Sequence, residues 1–173
     1  MRKTDTYLLW GLGIGAVLIL SLKPALNFIA NVRLNQYQDL ITFYAQMYNL
    51  PPNLIEAVCL TESSGDSNAV GDYDANGNPI GGGLMGVTLA TASDYGYSGT
   101  FSGLLDPSTN LNYGCAILAD AYKQAGKDPQ NTYAIYNDGA VRKNAQGIYI
   151  NSQGASIQAH IDNFNNNLNS LTV

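Results

Sequence analysis

Apolar positions recur along this chain in two ways. From Tyr7 to Leu22 they are nearly continuous and carry no charge. From about Gln38 onward they fall three and four apart, the spacing of helices with one buried face. Leu40, Ile41, Tyr44 and Met47 or Tyr48 predict a first amphipathic helix over Gln38–Tyr48. Leu54, Ile55, Val58 and Cys59 predict a second, opened by Pro51-Pro52, since Pro suits a first helical turn. Gly65 is its stop. Thr88–Tyr95 and Gln130–Tyr136 read as short helices. Pro107–Gln124 reads as a longer one, with Leu111, Cys115, Leu118 and Tyr122 on one stripe. Ile157, Ile161, Phe164, Leu168 and Leu171 line one face of a last helix over Ser156–Leu171. Between Gly65 and Gly83 the chain is rich in Gly, Asn and Asp, which predicts turns and a small hairpin. There is no repeat and no long strand run. The fold class is therefore α-rich, α+β at most.

The N-terminal run changes the domain picture. Arg2 and Lys3 precede it and Lys23-Pro24 follows. It is shorter than the roughly 20 residues of a full span, but Lys23 can snorkel and residues 24–30 extend the apolar path. An uncleaved transmembrane anchor over 1–30 is preferred to a cleaved signal peptide, because Ser21-Leu22-Lys23 is a poor cleavage site. Gly11, Gly13 and Gly15 fit lipid better than a buried helix of a globular core. Residues 31–37 read as a polar linker, and 38–173 as the folded domain. The positive N-terminus stays cytoplasmic, so the domain lies outside: periplasmic, on the wall side, or at a phage virion membrane.

Charge narrows the partners. Residues 1–35 carry Arg2, Lys3, Lys23 and Arg33 against Asp5, a net +3, while 36–173 carry 4 basic and 12 acidic residues, a net −8. An acidic domain without a basic patch excludes nucleic acid as the expected partner. Cys59 and Cys115 are the only cysteines and could pair outside the cytoplasm, although buried free Cys is the commoner state. With one histidine, His160, they do not suggest a zinc site.

Only Glu56 and Glu62 are glutamates. Glu62 ends the second helix and is followed by Ser63 and Ser64. Downstream come Gly83-Leu84-Met85-Gly86 with Thr91-Ala92, then Asp106-Pro107-Ser108-Thr109-Asn110 running to Gly114, then Tyr136-Asn137-Asp138-Gly139. In this order, with Pro52-Asn53-Leu54-Ile55 leading into Glu62-Ser63, the blocks resemble the lysozyme-like lytic transglycosylases of the soluble type, related to goose-type lysozyme. The resemblance covers about residues 38–170. One position departs: the family usually has Gln after Gly-Leu-Met, and this chain has Gly86.

The resemblance implies a lysozyme-like fold and a peptidoglycan glycan strand as substrate. It implies Glu62 as the catalytic acid and base, Tyr136 orienting it by a hydrogen bond, and Ser63 or Ser64 holding carboxylate or glycan. Leu84 and Met85 would floor the groove beside Asn137. No cofactor is implied. The chemistry also stands on its own terms. A glycosidic oxygen must be protonated as it leaves. A Glu packed among apolar side chains keeps its proton to higher pH. Glu56 lies about 120° around the helix from Glu62 and cannot share its site. Asp66, Asp72 and Asp74 are the local candidates for the second carboxylate of a hydrolase. Without one, the resemblance implies that the muramic 6-hydroxyl closes a 1,6-anhydro ring instead. A lysozyme-type hydrolase, and a non-catalytic glycan-binding subunit of a phage particle or envelope-spanning machine, are the alternatives. Asp72, Asp74 and Asn76 also match half of a calcium loop, but the position for its bidentate Glu is Gly83, and Asn76-Gly77 is a standard hairpin turn.

Overall fold

The computed structural model describes residues 26, 28–71 and 73–171. The predicted anchor lies almost wholly outside them. Among the described residues no helix is long and apolar enough to cross a membrane. Eight helices and one short sheet are present there. α1 covers 28–35. It is followed by α2 (Gln38–Tyr48), α3 (Pro52–Ser63), β1 (Gly81–Gly82), β2 (Val87–Thr88), α4 (Leu89–Asp94), α5 (Phe101–Leu104), α6 (Pro107–Gln124), α7 (Pro129–Asp138) and α8 (Gln158–Ser170).

The stretch 31–37, expected as a linker, is helical through Asn35. Ala30 and Leu34, one turn apart, face the core. The helix rests on Gly65, where a β-carbon would sit 2.8 Å from the Ala30 carbonyl. The exposed apolar side chains of Phe28, Ile29 and Val32 around Ala30 and Leu34 blur this two-residue stripe in a periodicity reading. α5 was likewise unpredicted; four residues show no periodicity, and its start is fixed by Thr100, whose hydroxyl accepts from the Gly103 N–H.

α3 is the central element. Pro51 enters it in an extended conformation and Ser64 leaves it in the left-handed one, so the helix stops one residue after Glu62-Ser63. Leu54, Ile55, Ala57, Val58, Cys59 and Leu60 are all buried. α8 and α2 pack against it, and α6 packs against α7 and α2. Asp106 caps α6 by accepting from the Thr109 N–H at 2.8 Å, with Pro107 in the first turn. Cys59 and Cys115 are buried free thiols, not a disulfide. The Cys115 Sγ lies 3.9 Å from the Met85 Sδ.

The hairpin region takes the form of an antiparallel β1–β2 pair, Gly81 opposite Thr88 and Gly82 opposite Val87. Isolated bridges join Val70 to Gly82 and Tyr73 to Pro79. Between the latter two, Asp74 closes the turn on itself. Its Oδ1 accepts the N–H groups of Asn76 and Asn78 at 2.8 and 2.9 Å, and its Oδ2 the Asn78 amide at 3.1 Å. These bonds hold its carboxyl below the usual range. Its oxygens are thus engaged within the turn. Asp72 lies outside the described residues, among which no group of three His, Cys, Asp or Glu could hold a metal ion.

Candidate active site

Glu62 stands in the last turn of α3 at the floor of a groove. A cavity of about 130 Å³ is bordered by Glu62, Gly86, Thr88, Thr91, Tyr136 and Asn137. It opens on one side into a space of about 260 Å³ walled by Gly81, Gly82 and Gly83. On the other it opens into one of about 450 Å³ reaching Tyr95 and Asp138. Asn137 borders all three, so they form one continuous groove across the glutamate.

The two carboxylate oxygens of Glu62 are not equivalent. Oε1 accepts the Tyr133 hydroxyl at 2.8 Å. Tyr133 is only 1% exposed, and its ring stacks on Phe164 of α8 at 4.6 Å between centroids. Oε2 faces Gly86, where a β-carbon would come within 2.9 Å of it. Gly86 has φ +63°, a conformation L side chains rarely adopt. The departure from the family's Gln thus leaves the backbone itself against the carboxylate. Burial pushes the Glu62 carboxyl up from the ordinary range, and the Tyr133 hydrogen bond offsets part of that rise. Burial first, then the neighbouring Glu62 charge and the bond to it, raises the Tyr133 hydroxyl, so this tyrosine stays a donor.

Of the residues expected at the site, Glu62, Tyr136 and Asn137 do come together. The others take different positions. Tyr136 does not bond Glu62; its hydroxyl donates to the Met85 carbonyl at 2.7 Å. Leu84 and Met85 are 0% exposed, so their side chains belong to the core and cannot floor a groove. Gly114 accommodates the Met85 side chain, which a β-carbon there would strike. Ser63 lies behind the site, its Oγ 2.8 Å from both the Cys59 and Leu84 carbonyls. It ties the end of α3 to the turn that carries Gly86. Ser64 opens onto a different cavity.

Two groups that shape the site were missed by sequence reasoning. Tyr133 is one. Asn110 is the other, fully buried, with its Oδ1 accepting the Met85 N–H at 2.8 Å. Its amide donates to the carbonyls of Gly82 and Leu104 at 2.9 and 2.8 Å. It therefore pins the Gly82–Met85 turn that presents Gly86. Its place in the Asp106-Pro107-x-x-Asn110 block was the available signal.

No second carboxylate borders the central cavity or its glycine-walled extension among the described residues. Asp138, at the far end, pairs with Arg142. Asp66 accepts the Asn68 N–H and lies 3.8 Å from Arg33. Glu56 accepts a hydrogen bond from Gln38, and its carboxyl is raised by burial. Chemically, the arrangement is one proton-retaining carboxyl with one oxygen tethered and the other facing an open groove.

No curated protein matches the sequence. Among solved structures, an inactive mutant of the lytic transglycosylase Slt from Pseudomonas aeruginosa matches with 23% identity and a TM-score of 0.51 over 60% of this chain. The 70 kDa soluble lytic transglycosylase from Escherichia coli matches with 22% identity and a TM-score of 0.50 over 77%. The matched regions are 17% and 19% of those longer chains, and at such identities the likeness is one of fold. The family model described as the transglycosylase SLT domain matches residues 39–158, from α2 to the first residue of α8. With that match spanning more than half of its residues, the chain belongs to the transglycosylase SLT domain family.

Proposed function

We propose that this protein is a peptidoglycan lytic transglycosylase in which Glu62 alone serves as acid and then as base. The observation that carries the reading is the asymmetric Glu62 carboxyl with no second carboxylate beside it in the central cavity among the described residues. With Oε1 engaged by Tyr133, the proton sits on Oε2, toward the groove. Glu62 donates it to the oxygen between N-acetylmuramic acid and N-acetylglucosamine, and the bond from that oxygen to the muramic C1 breaks. The 6-hydroxyl oxygen of the same muramic acid then bonds to C1 while its proton passes to Glu62. The 1,6-anhydro ring closes and the carboxyl is restored, so atoms and charge balance without water. The attacking hydroxyl is tethered to the reacting sugar, which supplies the positioning that a loosely held water would need from a second carboxylate. Asn137, at the rim, would contact the strand, and Tyr136 would shape the groove through the Met85 carbonyl.

The test is the product. Muropeptides released from purified sacculi should end in 1,6-anhydro-muramic acid by mass spectrometry. Reducing-end muramic acid as the main product, together with loss of activity in one of Asp66→Asn, Asp72→Asn or Asp74→Asn, would establish a hydrolase instead. We also propose that residues 1–30 anchor the domain on the outer side of a membrane. The motive is the uncharged run Tyr7–Leu22 behind Arg2 and Lys3. Full-length protein released from membranes by carbonate would refute that.

A further inference from the structure

α8 carries an unusual face. Asn163, Asn166, Asn167 and Ser170 fall at i, i+3, i+4 and i+7 and all open onto one cavity of about 410 Å³. Asn and Ser are poor helix formers compared with Ala, so four of them on one stripe weaken the helix that carries them. Asn31 and Ser64 border the same cavity, and its apolar part is Leu60 with Ala30, each less than a tenth exposed, together with the exposed Leu26.

This cavity is not the groove. Leu60 and Glu62 are two residues apart on α3, about 160° around its axis, and so face opposite flanks. Asn167 joins the two sides by donating to the Thr61 Oγ1 at 2.9 Å. The side-chain amides of Asn31, Asn163 and Asn166 make no hydrogen bond to another described residue, so their donors and acceptors are available. Among the described residues no charged side chain lines the cavity.

We propose that this cavity is an accessory saccharide site that takes a neutral N-acetylhexosamine unit of a glycan strand. The chemistry selects that class. Each amide offers a donor pair and an acceptor, which match adjacent ring hydroxyls and an acetamido group. The apolar floor suits the CH face of a pyranose ring or the acetamido methyl. An anionic ligand finds no cation here, and an apolar one would strip water from four or more amides and hydroxyls. The volume lies within the range of small-ligand pockets. With this site on one flank of α3 and Glu62 on the other, the domain holds one glycan segment while another lies in the groove. The proposal rests on the functional reading above only in taking the strand to be that of the cell wall.

The probe is chitotetraose, a neutral N-acetylglucosamine oligomer, added to the full chain. Nitrogen-15 NMR should show the side-chain amides of Asn31, Asn163 and Asn166 shifting and saturating together. In Asn163→Ala/Asn166→Ala the shift of the remaining Asn31 amide should vanish and retention on sacculi should fall about tenfold. Because Ala is the better helix former, the melting temperature should hold or rise, which separates lost binding from lost folding. Unshifted amides at millimolar chitotetraose would overturn the proposal. So would a dimer seen by sedimentation that disappears in the double variant, because the stripe would then join two copies of the chain. Shifts here in a protein that releases no anhydro ends would sink the lytic reading and leave this one standing. An active protein with unshifted amides would do the reverse.

Discussion

Tyr133→Phe removes one oxygen atom and leaves the ring stacked on Phe164, so it isolates the bond to Glu62 Oε1. A hydrogen bond to a charged group contributes about 1.5–3 kcal/mol. At about 1.4 kcal/mol per tenfold, that sets an upper range of roughly ten- to hundredfold in kcat if the bond's full worth is felt in the transition state. The sign on pH follows from the geometry. The hydroxyl favours the charged carboxylate and lowers the Glu62 pKa against the rise from burial. Without it the carboxyl keeps its proton to higher pH. The acid form begins the reaction, so the alkaline limb of the rate profile should move to higher pH in the variant. The assay is release of muropeptides from sacculi across a pH series, wild type against variant, with melting curves to confirm folding. A folded variant with wild-type rate and an unmoved alkaline limb would refute the assignment of Tyr133 as the positioning residue.

Glu62→Gln should abolish release of muropeptides in a zymogram. Because burial raises the folded-state pKa of Glu62, its contribution to stability is full below the unfolded-state pKa and lost as pH rises through the folded one. Glu62→Gln should therefore melt higher than wild type near neutral pH and show a flatter pH dependence; a lower melting temperature would contradict the buried-acid reading. Gly86→Ala places a methyl against Oε2 at a positive φ, and should cost about 1–2 kcal/mol in denaturant unfolding with at least a tenfold loss of activity. Asn110→Ala leaves the Met85 N–H and two carbonyls without their partner and should cost about 2–4 kcal/mol by the same measurement, with wild-type stability counting against its role as the pin of the Gly86 turn.

Much of the fold was written locally. α2 and α6 begin and end where the apolar spacing puts them. α3 was legible for the same reason, with prolines at one end and a left-handed Ser64-Gly65 exit at the other. What was not legible depends on partners far along the chain. α1 has only Ala30 and Leu34 to bury, and it is the close approach of Gly65 that gives the helix a seat. Leu84 and Met85 read as groove residues because the family resemblance assigned their block to the groove. The turn at Gly83 to Gly86 sends their side chains inward while its backbone faces Glu62. At Gly83 itself a β-carbon would run into the Asn110 amide.

The exchange of Tyr136 for Tyr133 shows where local reading ends. The two lie three residues apart on α7 and so share one face of the helix, and with 12 tyrosines in the chain composition favours neither. Which hydroxyl reaches Glu62 is decided by depth. Tyr133 is driven under α3 by Phe164, a residue 31 positions further on, whose helix packs along the flank of α3. Tyr136, one turn nearer the groove, meets the Met85 carbonyl first. The Glu62 carboxyl is thus steadied from beneath by α8 through Tyr133 and bounded from above by Gly86, whose turn is held by Asn110. Tyr133 holds one oxygen of Glu62, and Gly86 lies against the other without bonding it. A carboxyl that must both give and take a proton needs that division, because the oxygen that moves the proton has to stay free while the other stays held.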